Sequence, residues 1–186
     1  MCELNLGVRF AAGDEAELEE VINAYGEKLL RYATSILYDY QEAEDVVQRV
    51  FLAAYQNRRK FDGKYLSAWL YKITHNHCLN QAKKHKLLFF GDMGNVREKT
   101  YNPFEDSSIS EELQDALGQL SAKERSLLFC RVMNGQSYDE LSKIFGRSPA
   151  ALRKQYERTK KKLAGYLNAE GVYGKESKHA CRQEQV

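Results

Sequence analysis

Basic side chains are concentrated in one segment near the C-terminal end, and their chemistry suits nucleic acid. From Arg147 to Leu163 the chain carries seven Lys or Arg and one Glu, a net charge of +6. Guanidinium and ammonium groups pair with phosphates, and long polar side chains can reach base edges in the major groove. This segment therefore predicts binding to duplex DNA. The plainer alternative is a helical hairpin with a solvated basic face.

A second group of candidate residues lies on one face of a predicted helix in the first half of the chain. At 100° per residue, its five members fall within an arc of about 80°. Amide side chains can hydrogen-bond base edges, and aromatic rings can stack on unpaired bases. The alternative is a half-buried Trp edge on an ordinary polar helix face. The five residues are Trp69, Lys72, Asn76, Asn80 and Lys83.

The residues around the C-terminal cations predict a helix-turn-helix. Ser137 and Glu140 have the spacing of a capping box, which indicates a short helix over residues 138–145. Gly146 suits the left-handed end of that helix. Ser148 can cap a second helix, with Pro149 at its first position, where the missing N–H costs nothing. The buried stripe predicted for this second helix contains Leu152, Tyr156, Thr159 and Leu163.

Apolar residues recur at helical spacing along most of the chain, and only two prolines interrupt it. We therefore predict an all-α fold with two small helical domains joined by a flexible linker. In the first domain the apolar stripe is interrupted at Gly26, which predicts two helices there, and a third helix over residues 41–57 follows. The predicted boundaries are an N-terminal extension (1–13), a first domain (14–88), a linker (89–110), a helix-turn-helix domain (111–168) and a disordered tail (169–186).

Charge is segregated in the first half of the chain. The span from Asp14 to Asp45 has a net charge of −8, and the span from Arg49 to Lys86 has a net charge of +8. Opposed blocks of this kind can offer one face to nucleic acid and another to a protein partner.

Several classes of protein are not expected from this sequence. It contains no phosphate-binding glycine loop, nucleophile elbow or H-E-x-x-H motif, so we expect neither an enzyme nor a small-molecule substrate or cofactor. The four cysteines form no C-x-x-C pair, and the group His75, His77 and Cys78 faces different directions on a helix, so no metal site is predicted. Neither a signal peptide nor a membrane-spanning apolar run is recognisable, and we expect a cytoplasmic, reduced protein.

Three segments together resemble the bacterial sigma-70 family, and in particular its extracytoplasmic-function group, which keeps only regions 2 and 4. EAEDVVQRVFLAAY (42–55) resembles region 2.2, and FDGKYLSAWLYKITHN (61–76) resembles regions 2.3 and 2.4. SPAALRKQYERTKKKL (148–163) is similar to the recognition helix of region 4.2. The resemblance implies a sigma factor that binds core RNA polymerase, recognises −10 and −35 promoter elements and initiates transcription.

The resemblance also implies roles for residues. The exposed side of region 2.2 would bind the clamp helices of the polymerase β′ subunit through Asp45, Gln48 and Arg49, although the family commonly has Glu at the last position. The −10 contacts would be Phe61, Tyr65, Trp69, Lys72, Asn76, Asn80, Lys83 and Lys84. The −35 contacts would be Arg147, Arg153, Lys154, Glu157 and Arg158, with Gln155 where the family usually has Arg.

Further partners follow from the same resemblance. They are the β flap of core polymerase, promoter DNA and an anti-sigma factor. A flexible linker would leave the two domains unoriented until core polymerase sets their spacing.

Two other functions remain open at this stage. A helix-turn-helix regulator would bind duplex DNA without polymerase, but it leaves the segments at 42–55 and 61–76 unexplained. A helical scaffold with merely solvated basic faces would show no salt-dependent affinity for DNA.

Overall fold

The structure, a computed structural model, describes residues 3–13, 15–88 and 110–180. Every regular element in these ranges is helical, which confirms the predicted all-α class. A short 3₁₀ turn at Arg58–Lys60 follows the third helix. The α-helices are α1 (Glu3–Ala12), α2 (Glu15–Leu37), α3 (Tyr40–Asn57), α4 (Leu66–Leu88), α5 (Glu111–Gly118), α6 (Ala122–Val132), α7 (Tyr138–Phe145) and α8 (Pro149–Ala180).

Helix α1 occupies most of the segment that the sequence analysis set apart as an N-terminal extension. Its Leu6 and Phe10 side chains are buried in the core of the first domain. Gly7 lies against the loop that precedes α4, and a Cβ at this position would come within 2.5 Å of the Gly63 carbonyl oxygen. Because only glycine permits this approach, α1 belongs to the first domain and supports its loop. Asp14, whose residue type suits the N-cap of the next helix, lies outside the described residues.

Helix α2 runs without a break through Gly26, where the sequence analysis expected two helices. A glycine in a helix interior costs about 1 kcal/mol relative to alanine. Burying one large apolar side chain contributes about 1.5–3 kcal/mol, and α2 buries Val21, Tyr25, Leu29 and Tyr32 on either side of this glycine. The packing therefore outweighs the local preference.

Helix α3 follows the sequence closely. The Asp39 side chain caps it by accepting a hydrogen bond from the Glu42 backbone N–H at 2.9 Å. Its buried residues, all small or β-branched except for one ring, face α2 and α4: Ala43, Val46, Val47, Val50, Phe51 and Ala54.

The helix-turn-helix is also confirmed. Ser121 with Glu124 and Ser137 with Glu140 both form complete capping boxes. Gly146 adopts a left-handed conformation with φ of 63° at the turn. Helix α8 then extends to Ala180 and so includes most of the segment for which the sequence analysis expected disorder. No proline follows Pro149, and adding residues to a formed helix costs little, whereas starting one is unfavourable.

The two domains pack against each other through α6 and α7 of the second and α2 and α4 of the first. Their buried residues form one continuous hydrophobic cluster, from Phe10 in α1 to Leu152 in α8. This arrangement differs from the expected pair of unoriented domains, because α6 and α7 have apolar and hydroxyl side chains that complete the core of α2 and α4. Residues 89–109 of the predicted linker lie outside the described residues.

Candidate nucleic-acid interfaces

The loop before α4 presents an aromatic side chain to solvent. The Asp62 carboxylate accepts a hydrogen bond from the Lys64 backbone N–H at 2.9 Å, which tightens the turn. Tyr65 follows in a left-handed conformation with φ of 53°, which is uncommon for a residue with a large side chain. Its side chain is 60% exposed. The backbone thus directs a stacking ring outward at the start of α4.

A stack of aromatic rings lies behind Tyr65. Phe61 and Trp69 are nearly parallel, with ring centroids 4.6 Å apart, and the Phe10 ring is tilted relative to Trp69, with centroids 6.4 Å apart. Phe61 is only 8% exposed, whereas Trp69 is half-buried. Phe61 therefore supports Trp69 and has little surface for DNA, which separates two residues that the sequence analysis treated alike.

These rings line an open cleft of about 340 Å³. Lys60, Lys64 and Lys72 surround it, and Lys143 reaches it from α7 of the second domain. Aromatic surface surrounded by cations is the combination that holds single-stranded nucleic acid, since bases stack while ammonium groups pair with phosphates. We call the half-buried Trp69 and the exposed Tyr65, Lys72 and Asn76 together the aromatic face.

The remaining candidates of the first domain continue along α4. Asn76, Asn80, Lys83 and Lys84 are all exposed. Lys72 and Asn76 also line a second cleft, of about 400 Å³, whose opposite wall is the turn between α7 and α8, including Arg147. Asn80 lies one turn further along α4, and Lys83 lines a third cleft beside the start of α6. These residues therefore lie along one face of α4, and the middle of that face is close to the second domain.

The second candidate interface is the outer side of α8. Leu152 and Thr159 are buried and hold the helix against the second domain. Four predicted contacts are exposed on the opposite side, and we call them the basic face: Arg153, Lys154, Glu157 and Arg158.

Local contacts orient part of the basic face. The Arg153 guanidinium lies 5.1 Å from the centroid of the Tyr138 ring. Glu157 forms an ion pair with Lys160 at 3.1 Å, one turn along the helix. Arg147, at the turn, donates a hydrogen bond to the Gln155 side chain. Gln155, which stands where the family usually has Arg, thus binds Arg147, another predicted −35 contact.

A third exposed surface lies on α3. Asp45, Gln48 and Arg49 all face solvent, and the Arg49 side chain donates to the Asp45 carbonyl oxygen at 3.0 Å. Leu52 lies one turn beyond Gln48 and is 57% exposed. The sequence analysis did not identify Leu52, an exposed apolar side chain beside these polar ones. We call these four residues the α3 face.

A buried polar group connects the two domains, and the sequence analysis did not identify it. The Tyr32 hydroxyl lies 2.5 Å from the Ser126 hydroxyl, which is 2.9 Å from Nδ1 of His75. Burial, with a smaller contribution from the nearby Lys123 ammonium, lowers the pKa of His75 from 6.5 to about 4. His75 is therefore neutral at physiological pH and shares a proton in this group.

Two further properties bear on function. Among residues 3–13, 15–88 and 110–180, no group of three His, Cys, Asp or Glu side chains is placed to hold a metal ion. No helix in these ranges has the length and apolar character needed to cross a bilayer.

Known proteins share both domains. The chain matches the family model for Sigma-70 region 2 over residues 21–87 and the model for Sigma-70, region 4 over residues 110–163. It is 24% identical to the ECF RNA polymerase sigma factor SigE of Mycolicibacterium smegmatis, in a match that covers 84% of this chain and 65% of that protein. It is 27% identical to SigW of Bacillus subtilis, over 77% of this chain and 90% of that protein.

A solved structure shows the same fold. The sigma factor RpoE of Bartonella quintana, in complex with the anti-sigma factor NepR, superposes with a TM-score of 0.69 and 24% identity. That match covers 83% of this chain and 98% of the other. The match to region 2 counts against an ordinary helix-turn-helix regulator, because such a protein needs no such domain. The chain belongs to the sigma-70 family of RNA polymerase sigma factors, in its extracytoplasmic-function group.

Proposed function

We propose that this sigma factor divides promoter recognition between the aromatic face, which binds the melted −10 element, and the basic face, which binds the −35 element as duplex. The observation that carries the proposal is the presence in one chain of a cleft lined by rings and cations on α4 and an exposed basic recognition helix. The first suits unpaired bases and the second suits the major groove. No covalent chemistry is required, and we propose no enzymatic activity.

At the −10 element, binding and melting become a single step. Flipping a base out of a duplex costs a few kcal/mol of stacking and pairing. Tyr65 and Trp69 offer ring surface, and Asn76 offers an amide to a base edge. The binding of a base that fits this site therefore offsets the free-energy cost of flipping it out. Lys72, Asn80, Lys83 and Lys84 extend the site along α4 toward the backbone of the same strand.

At the −35 element, α8 enters the major groove. The caps of the helix-turn-helix set the angle between α7 and α8, and the buried Leu152 and Thr159 hold the helix in register. Arg153, Lys154 and Arg158 are then free to contact bases and phosphates, whereas Glu157 accepts hydrogen bonds.

The α3 face is the proposed contact with core polymerase. Asp45 and Arg49 present charges of both signs, and Leu52 adds apolar area at the centre, as expected of a protein interface. Through this contact the protein would act in the cytoplasm, on the β′ clamp helices, with the second domain on the β flap. An anti-sigma factor would compete for these surfaces, as the complex of the Bartonella relative with NepR suggests.

Run-off transcription tests the proposal. Purified bacterial core polymerase is supplied with a genomic fragment library, with and without the protein. We expect discrete new start sites that share sequence elements near −10 and −35. The matched variant replaces Asp45 with Lys and Leu52 with Glu, two exposed changes that leave the core intact, and it should lose both the starts and co-purification with core. Duplex binding without any new start would instead support a regulator that works without polymerase.

A further inference from the structure

Helix α1 precedes the segment that matches the region 2 family model. That match begins at residue 21, whereas α1 ends at Ala12. The helix is nevertheless built into the first domain, because it packs against α2, the 3₁₀ turn and α4 and buries Leu6 and Phe10. An element outside the family model therefore supports the domain that carries the aromatic face.

Polar contacts fix the C-terminal end of α1. The Arg58 side chain, in the 3₁₀ turn, donates to the Gly13 carbonyl oxygen at 2.9 Å and to the Tyr55 carbonyl oxygen at 2.7 Å. Arg9 forms an ion pair with Glu20 of α2. The carbonyl groups at a helix C-terminus lack partners within the helix, so the guanidinium of Arg58 stabilises this end. Helix α1 is therefore held at a fixed position against α2 and α3.

Helix α1 meets the loop before α4 at a pair of glycines. A Cβ at Gly7 would lie 2.5 Å from the Gly63 carbonyl oxygen. A Cβ at Gly63 would lie 3.3 Å from the Cα of Val8, and the φ of Gly63 is 77°. These neighbours are backbone atoms, so a side chain at Gly7 cannot be accommodated unless α1 and the loop move apart. The position of α1 thus sets the position of the loop.

This loop and the ring stack behind it carry the two aromatic side chains of the aromatic face. Tyr65 follows Gly63 by two residues, and its ring is 60% exposed. The ring of Phe10, from α1, lies 6.4 Å from that of Trp69 between centroids. The cleft itself is lined by the 3₁₀ turn, the loop, α4 and Lys143. Helix α1 therefore contacts the supports of both rings, while other elements line the cleft.

We propose that α1 is a positioning element of the −10 site, in which Gly7 fixes the loop that carries Tyr65, and Phe10 fixes Trp69. This inference rests on the proposed function of the aromatic face. A loop that is already ordered does not lose conformational entropy when a strand binds, so fixing it strengthens binding. Base recognition also requires the binding groups to be held within about 0.5 Å of their productive positions. Gly7 and Phe10 are positioning residues, because they act through Tyr65 and Trp69.

The first experiment needs no DNA and uses the full chain. Trp69 is its only tryptophan, so tryptophan fluorescence reports the ring stack alone. Gly7→Ala should shift the emission maximum to longer wavelength, since separating α1 from the loop exposes the Trp69 ring to water. Gly26→Ala is the matched control, because a Cβ there would meet Cγ2 of Ile22 at an ordinary contact distance of 3.9 Å. The same emission maximum in both variants would overturn the positioning role.

The second experiment measures binding by fluorescence anisotropy with a labelled single strand of the −10 sequence found by run-off transcription. Gly7→Ala should weaken binding about tenfold relative to Gly26→Ala, the size of effect expected when one stacked base is lost. A positioning role also predicts that this loss depends on Tyr65. In the Tyr65→Ala background, where the positioned ring is absent, Gly7→Ala should weaken binding by no more than about threefold.

Two outcomes would overturn the inference. One is undiminished binding by Gly7→Ala while Tyr65 is present. The other is an equal loss with and without the Tyr65 ring, which would mean that Gly7 acts only on the stability of the domain. Absence of promoter-specific starts in run-off transcription would instead overturn the proposed function, which the emission of Trp69 does not test.

Another variant keeps the inference testable if Gly7→Ala fails to fold. Phe10→Leu keeps a buried apolar side chain but removes the ring beside Trp69. Phe51→Leu, the same change in a ring buried on α3, is its matched control. Phe10→Leu should bind the single strand about threefold more weakly than Phe51→Leu, because a lost aromatic contact has an effect of this size. Equal binding by the two variants would show that Phe10 contributes only core volume, and would overturn its role.

Discussion

The aromatic face and the basic face differ in what holds them. Arg153, Lys154 and Arg158 project from a helix whose opposite side is packed, and they make few contacts beyond it. Tyr65 directly precedes α4, and Trp69 and Asn76 belong to this helix, which packs against α1, α2, α3, α6 and α7. A surface made of charges is thus independent of the fold around it, whereas a surface made of rings and amides depends on its neighbours.

Removing a supporting ring should reveal this dependence most strongly. Phe61→Ala deletes a buried ring stacked on Trp69 and should lower the free energy of unfolding by about 3 kcal/mol. Tyr65→Ala, four residues away and exposed, should leave stability within about 0.5 kcal/mol but weaken single-strand binding. Thermal and urea melts of both variants measure the difference. Equal losses of stability would show that Tyr65 is also part of the core.

Changes on the basic face should affect function without affecting stability. Arg153→Ala combined with Lys154→Ala removes two contacts worth about 1–3 kcal/mol each, so transcription from promoters with a −35 element should fall about 100-fold. Melting should remain that of the wild type, and Lys28→Ala combined with Arg31→Ala serves as a charge-matched control on α2. Undiminished run-off transcription would show that α8 does not contribute to promoter recognition.

Acid should favour an open form, in which the two domains separate, over the closed form in which they are packed together. The pKa of His75 is about 4 when the domains are packed and returns toward 6.5 on opening, so the closed state binds fewer protons. The closed state is therefore fully favoured above pH 6.5 and loses stability as pH falls toward 4. From pH 7 to pH 5 the open fraction should rise about twentyfold, by proton linkage.

This response is measurable as the rate at which iodoacetamide alkylates Cys130, a free and buried thiol of α6, divided at each pH by the rate in the urea-unfolded chain. The groups that face His75 are Tyr32 of α2, Lys123 and Ser126 of α6, and Phe145 of α7. His75→Gln keeps a polar group at this position but cannot titrate, so it should abolish most of the response. The same pH response in that variant would assign it to another group.

The smallest effect is expected from a single amide. Asn76→Ala should spare binding to core polymerase and reduce open-complex formation about tenfold, since one hydrogen bond to a base is worth about 1–2 kcal/mol. Permanganate footprinting of unpaired thymines measures melting directly. Asn57→Ala is the control, because this exposed amide at the end of α3 donates to the Ala53 carbonyl oxygen of its own helix. Equal melting by Asn76→Ala and wild type would remove Asn76 from the −10 site.

Much of this protein can be predicted from local sequence because its signals are short-range. Capping boxes form between residues three apart, and the turn at Gly146 needs only a residue that tolerates positive φ. The buried side of α3 follows from its own periodicity, and the cations of α8 are exposed because burying them unpaired would be costly. The sequence by itself therefore determined α3, the helix-turn-helix and the basic face.

Tertiary structure decided everything that depends on which helix faces which. Phe61 and Tyr65 look alike as sequence, but the packing of α1 and Trp69 buries one and exposes the other. Gly26 interrupts the local apolar pattern, yet α2 continues past it because large apolar side chains are buried on both sides. The hydrogen bond between Tyr32 and Ser126 joins residues 94 positions apart, and no local rule relates them. Contacts between distant residues arise from the shape of the whole core, and in this protein they decide how the two domains sit against each other.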